Sequence, residues 1–432
     1  MRKKRSDNII IEKATELIGA IEAPPSKSYT HRAIMACGIN GKCRIQNPLY
    51  SDDIIATINA WKTLGAVIKK RRNFLDVRGF HGLPDPKNRL IDVGESGTLL
   101  RFILPILALA KGEFIISGRQ TLMDRPNRTI VEALKSWDID VSGKGDDHKL
   151  PIRLVAKGEI EGGETRVSGR ESSQTISSLL MAAPLAKRDT IIIVKDKLVS
   201  KPYVDVTIDV LRKAGIEVVN KDYRKFHVKC GQRFKPLGKF IVPGDYSSSA
   251  FAIVAASLLK SDVAIMGLGD DKQGDNKIIE IVNAMGGKIR HAKNTIRING
   301  PFALKGIDID CGDTPDLVPI LAVLGCFAKG KTRIHNVAHL AYKESDRIAA
   351  PAGELMKLGA AISTTKDSMT IKQSRLRAGN VSSRSDHRIA MALTVAGLIV
   401  GDVRIDGVEC ISKSYPRFLQ DMKSLGAKFK VI

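Results

Sequence analysis

Between Pro24 and Ala33 the chain reads PPSKSYTHRA, which sets Ser26, Lys27, Ser28, Tyr29, Thr30 and Arg32 at the mouth of an Ala/Ile/Met run. One hydroxyl is enough to cap a helix. Four hydroxyls and two cations make an anion site instead, because the free N–H groups of a helix N-terminus already favour negative charge and Ser, Lys and Arg add strength and direction. Similar groups open five more apolar runs: Ser96, Gly97 and Arg101; Ser172, Ser173 and Gln174; Asp245 and Ser247; Asp316; Asp386, His387 and Arg388. A second series carries Asp52 and Asp53, Arg125, Ser200 with Lys201, Lys272, Lys343 with Glu344 and Arg347, and Lys413. Lys27, Arg125, Lys343 and Lys413 read as cations at helix N-termini, where they oppose the macrodipole. Four such oppositions at equivalent places predict a shared anionic ligand. Ser247, Asp52 and Asp53 read as plain N-caps, and His387 beside Asp386 as a structural histidine.

The elements that must hold these groups repeat. A helical phrase, a pivot and a strand recur as NAWKTLGAVI, EALKSWDIDV, DVLRKAGIEV, EIVNAMGGKI, GELMKLGAAI and QDMKSLGAKF, with pivots Gly65, Asp138, Gly215, Gly286, Gly359 and Gly426 at intervals of 67 to 77 residues. Glycine suits the left-handed turn that ends a helix, and Asp tolerates it better than most residues. The apolar runs between these phrases predict buried helices, each followed by a β-rich stretch such as EFIISG or TIIIVKD. Six modules in one chain predict two domains of three, because repeats this long pack as groups and not as a solenoid. The expected hinge lies near residues 23 and 241. One domain would then be 24–241, and the other 1–23 with 242–432.

The chain has 432 residues, 43% of them hydrophobic, a net charge of +23 and six scattered cysteines with no CxxC pair. Neither a signal core nor a membrane span is evident, and the cysteine pattern predicts reduced thiols and a cytoplasmic setting. GxSxG, HExxH, the P-loop and a dinucleotide fingerprint are all missing. The basic excess fits either a nucleic-acid binder or an enzyme for anionic small molecules.

The segments SKSYTHRA, GESGTLLR, DRPNR, SSQTISSLLMAAPL, SKPYVDVT, GDYSSSAF, PDLVP, KESDRI, SDHRIAMA and SKSYP run collinearly along nearly the whole chain. Together they resemble the 5-enolpyruvylshikimate-3-phosphate synthase family of enolpyruvyl transferases. The resemblance implies an α/β fold of two domains, each of three βαβαββ-type repeats, with the active site in the interdomain cleft. The first domain would mainly serve shikimate 3-phosphate and the second mainly phosphoenolpyruvate (PEP). The implied reaction adds the 5-hydroxyl of shikimate 3-phosphate to C2 of PEP while C3 is protonated, then expels phosphate. It implies catalytic roles for Asp316 as base and for Glu344 and Lys27 in proton transfer. Lys27, Ser28, Arg32, Ser172, Ser173, Ser200, Tyr203, Asp316 and Lys343 would bind shikimate 3-phosphate. Lys27, Gly97, Arg125, Gln174, Arg347, Arg388 and Lys413 would bind PEP. The resemblance calls for no cofactor, metal, specific nucleic acid or membrane, and the chain is expected to be a monomer. Glu95 and His339 stand where better-studied members carry Asn. The small Gly97 leaves room for glyphosate, so sensitivity is expected. The alternatives are the sister transferases acting on UDP-N-acetylglucosamine, whose loop cysteine has no counterpart in 118–128, and an RNA-binding or RNA-end-processing protein of related fold.

Overall fold

The structure, a computed structural model, describes residues 7–432; the basic start MRKKRS lies outside the described residues. Two compact units separate: Pro25–Val242, and Pro243–Ile432 together with the described residues through Pro24. Each unit holds three four-stranded sheets built to one plan. In the repeat spanning 308–372, strand Asp308–Asp310 leads into helix Val318–Phe327 and the parallel strand Lys331–His335. Helix Ala349–Lys357 and the antiparallel hairpin Ala361–Thr364 and Ser368–Lys372 complete it. This is the βαβαββ order expected. Two repeats take their parallel edge strand from far along the chain: Gly238–Ile241 lies beside Lys42–Gln46, and Leu17–Glu22 beside Ser261–Met266.

The Ala/Leu/Ile runs form buried helices, as their composition demands. In Gly97–Leu107 every residue except Thr98 is buried, and in His387–Val400 every residue through Leu398 is. Helices Tyr246–Leu258, Val318–Phe327 and His387–Val400 pack on one another in the core of their unit. The alternate helices are amphipathic: Arg128–Lys135 buries only Ile130, Val131, Ala133 and Leu134, the i, i+3, i+4 face. The pivots all take positive φ, and Asp138 does so at 59°. A left-handed conformation costs a non-glycine residue about 1–2 kcal/mol.

Two expectations fail. Cys37 and Cys43 form a disulfide between helix Lys27–Ile39 and strand Lys42–Gln46, so reduced thiols throughout is incorrect. The helix and its returning strand bring cysteines six apart into bonding range, a proximity that a search for CxxC spacing misses. The second concerns the opposing cations. Lys27 is the first residue of its helix, after the cap Ser26. Arg125, Lys343 and Lys413 instead end short 3₁₀ turns, Gln120–Asp124, Ala338–Tyr342 and Val408–Lys413, several residues ahead of the next helix. They oppose no macrodipole. Tight 3₁₀ turns have no hydrophobic period and so left no signature.

Helices Lys27–Ile39 and Asp52–Thr63 approach so closely that a Cβ built on Gly38 would lie 2.1 Å from Trp61 Cδ1. Trp61 is fully buried and donates to the Met35 carbonyl at 3.3 Å, so it has nowhere to move. Gly38→Ala should therefore cost about 1–3 kcal/mol through overpacking. A urea unfolding series checks this; an unshifted midpoint would mean the helices have room.

Candidate active site

In unit 25–242, Arg32 draws two of the expected residues together, Ser28 and Tyr203. Its side chain is 2% exposed, and its hydrogen bonds reach only neutral oxygens: Nε to Thr207 Oγ1 at 2.7 Å, Nη1 to the Ser28 carbonyl at 3.1 Å and Nη2 to the Tyr203 carbonyl at 3.1 Å. Burial pulls its pKa down to about 10. A buried guanidinium met by no carboxylate disfavours its own charge, and an incoming anion would relieve it. Lys27, on the same helix, meets Asp53 Oδ2 at 3.2 Å. Asp53 is thus no simple cap; Ser51 holds the cap position.

Ser200 precedes helix Lys201–Lys213 in a left-handed conformation (φ 55°, ψ 41°). Its side chain makes no capping bond, and its buried Oγ has no partner. The strained backbone presents a hydroxyl that the fold does not use. Ser172 caps helix Ser173–Ala182, accepting from Gln174 N at 3.2 Å, and Ser173 is buried behind it. Gln174 Nε2 donates to Thr98 Oγ1 at 3.1 Å, which ties this mouth to that of Gly97, while its buried Oε1 accepts nothing. A Cβ on Gly97 would lie 2.6 Å from Arg125 Nη1 and 3.0 Å from Arg101 Nη1, so glycine here leaves space for two guanidiniums.

In the other unit Arg347 is the centre. It is 2% exposed and bonded to three carboxylates: Asp316 at 2.7 Å, Glu344 at 2.8 Å and Asp386 at 2.7 and 3.1 Å. Burial alone would lower its pKa, but Asp386, Glu344 and Asp316 carry it well above the ordinary value. Arg388 takes the second oxygen of Asp316 at 2.9 Å. Lys413 donates to the Ser385 carbonyl at 3.2 Å, and Lys343 ends the turn that also carries His339. Burial and then Lys343 hold His339 down at about 3, which keeps it neutral. His387 is buried with Nδ1 3.9 Å from Asp386.

Comparison with known proteins gives the family of the chain. The family model for EPSP synthase (3-phosphoshikimate 1-carboxyvinyltransferase) covers residues 11–422. The chain belongs to the EPSP synthase family. A 3-phosphoshikimate 1-carboxyvinyltransferase of Methanocaldococcus jannaschii is 42% identical over 430 residues, covering 98% of this chain and 99% of its own. Its counterpart from Methanococcoides burtonii is 42% identical over 413 residues, covering 95% and 96%. The EPSP synthase structure of Acinetobacter baumannii superimposes with a TM-score of 0.82 at 26% identity, across 99% of this chain and 100% of that one. These matches do not favour the UDP-N-acetylglucosamine or RNA alternatives.

Sequence reasoning named most of these carboxylates but misassigned one cap and missed Asp275. Asp245, not Ser247, caps helix Tyr246–Leu258, accepting from Ser248 N at 2.7 Å. Ser247 turns instead to the buried Asp275, a residue with no motif to flag it. Burial, then Asp316, pushes the Asp275 carboxyl up to about 7. A carboxyl whose pKa is raised on folding keeps its proton longer than in the unfolded chain. Its destabilising effect is therefore absent below about pH 4, grows between the two pKa values and is complete above about pH 7. Asp275→Asn should raise the melting temperature at pH 8 and leave it unchanged at pH 4, as differential scanning calorimetry would read; an equal shift at both would place the effect in packing.

Proposed function

We propose that the cations of the two units bind the substrates of the EPSP synthase reaction, enolpyruvyl transfer from PEP to shikimate 3-phosphate with loss of phosphate. The observation that carries this reading is Arg32, a buried guanidinium hydrogen-bonded only to neutral oxygens. Two phosphates and two carboxylates bring about five to six negative charges together, a demand that clustered Arg and Lys meet. Arg32, Ser28, Ser172, Ser173, Ser200 and Tyr203 are assigned to shikimate 3-phosphate, and Lys343 with them. Gly97, Arg125, Gln174, Arg347, Arg388 and Lys413 are assigned to PEP, and Lys27 to both. Glyphosate sensitivity belongs to the same proposal: glycine at position 97 lets Arg125 and Arg101 approach closely, cations suited to a phosphonate.

Both oxygens of Asp316 accept from arginine. When substrate anions engage Arg347 and Arg388, those bonds weaken and Asp316 becomes available to take the proton of the 5-hydroxyl. Glu344, held by the same Arg347, is released in the same way and serves proton transfer at C3 with Lys27. The hydroxyl oxygen bonds to C2 of PEP as C3 gains a proton; loss of that proton and of phosphate leaves the enolpyruvyl ether. Positive side chains stabilise the charge that develops on the departing phosphate.

Phosphate release from PEP should require shikimate 3-phosphate and should not occur with UDP-N-acetylglucosamine. Asp316→Asn should lower turnover by about 10²–10⁴-fold while shikimate 3-phosphate still binds. A variant that loses binding yet turns over normally at saturation would make Asp316 a positioning residue, and release with neither acceptor would overturn the assignment.

A further inference from the structure

One sheet of unit 25–242 carries a charge pattern that the reaction does not use. Its strands run in the order Gly238–Ile241, Lys42–Gln46, Phe74–Arg78 and Val67–Lys70. The inward residues Phe240, Cys43, Ile45, Leu75, Val77 and Ile68 are buried. Alternation then puts Lys239, Lys42, Arg44, Lys69 and Arg78 on the outer face, with Asp76 the only acid among them. This face lines a cavity of about 650 Å³.

The register sets like charges directly opposite one another: Lys42 faces Arg78, and Lys239 faces Arg44. Such pairs destabilise a sheet. Asp76 offsets one of them, since Arg44 binds it with both nitrogens at 2.8 and 3.2 Å. Lys42, Lys69, Arg78 and Lys239 make no ion pair among the described residues. The repeats supply an internal control. In the second, Arg153 pairs with Glu113 and Asp140, and Lys157 with Asp138. In the fifth, Asp308 lies opposite Arg333 and Asp310 opposite His335. Like charges meet there too, Lys111 opposite Lys157 and Lys331 opposite Lys372, but several acids stand among them, whereas here Asp76 is the only acid on the face.

Arg44 also lies over the Phe74 ring at 4.2 Å, and Val67 and Ile241 stand exposed at 41% and 62%. Cations beside a stacking surface suit single-stranded nucleic acid, whose backbone meets the charge and whose bases stack without regard to sequence. We infer that this outer sheet face binds single-stranded RNA through its backbone. The strands bring together an arginine and an aromatic thirty residues apart, which is why no interleaved basic-aromatic stretch marks the site in the sequence.

The test is fluorescence anisotropy of a labelled oligouridylate over a salt series, with phosphate-release activity as the check on folding. The triple variant Lys42→Ser, Lys69→Ser, Arg78→Ser is compared with a control of equal charge change, Lys329→Ser, Lys366→Ser, Lys428→Ser. The face variant should weaken binding by about tenfold or more and lower the slope of log affinity against log salt by about 2, while the control stays near the parent protein. Activity should be unchanged in both. Equal weakening in the control, no binding by the parent at physiological ionic strength, or displacement of RNA by polyglutamate at equal charge would each overturn the inference. The last of these would point to an acidic protein instead. Should the triple variant prove inactive, Lys69→Ser alone applies the same comparison against Lys366→Ser.

Discussion

Taking a guanidinium out of water costs several kcal/mol unless negative charge and a full set of acceptors meet it. The two units answer that constraint in opposite ways. Around Arg347 the fold supplies three carboxylates, and the guanidinium is held above its ordinary pKa. Around Arg32 it supplies two carbonyls and a hydroxyl, and burial brings the guanidinium down to about 10. One arrangement is closed on itself; the other has no negative partner among its hydrogen bonds, and under the proposed function the substrate would open the first and complete the second.

The remaining groups follow from these two. Asp53 holds Lys27 and Asp316 holds Arg388, cations that the proposed function assigns to the ligands. Asp386 differs: it is wholly buried, caps its helix by accepting from Arg388 N and also receives Ser345, so its place is structural. The fold spends conformational strain at Ser200 to leave a buried hydroxyl without a partner. Unused polarity at Ser200 and an uncompensated cation at Arg32 are the features that the proposed function assigns to an anionic ligand.

Much of this architecture is legible in the residues. The pivots from Gly65 to Gly426 announce helix ends, and even Asp138 keeps the left-handed turn. Runs such as GTLLRFILPIL are apolar on all sides and end up buried. What stays hidden depends on contacts between distant residues. Nothing local tells that Asp53 will hold Lys27, that Ser247 will face Asp275, or that Arg125 will end a 3₁₀ turn instead of opening a helix. Cys37 and Cys43 were readable as neighbours only once the strand after the helix doubled back.

The central claim is that an anion completes the setting of Arg32, and isothermal titration of Arg32→Gln with shikimate 3-phosphate tests it most directly. The neutral side chain keeps a donor for Thr207 or the Tyr203 carbonyl but removes the charge. Losing a buried charge-assisted contact should weaken binding by about thirtyfold or more. An affinity within about threefold of the parent, less than 1 kcal/mol apart, would mean that the buried guanidinium only braces the helix and that the ligand is held elsewhere.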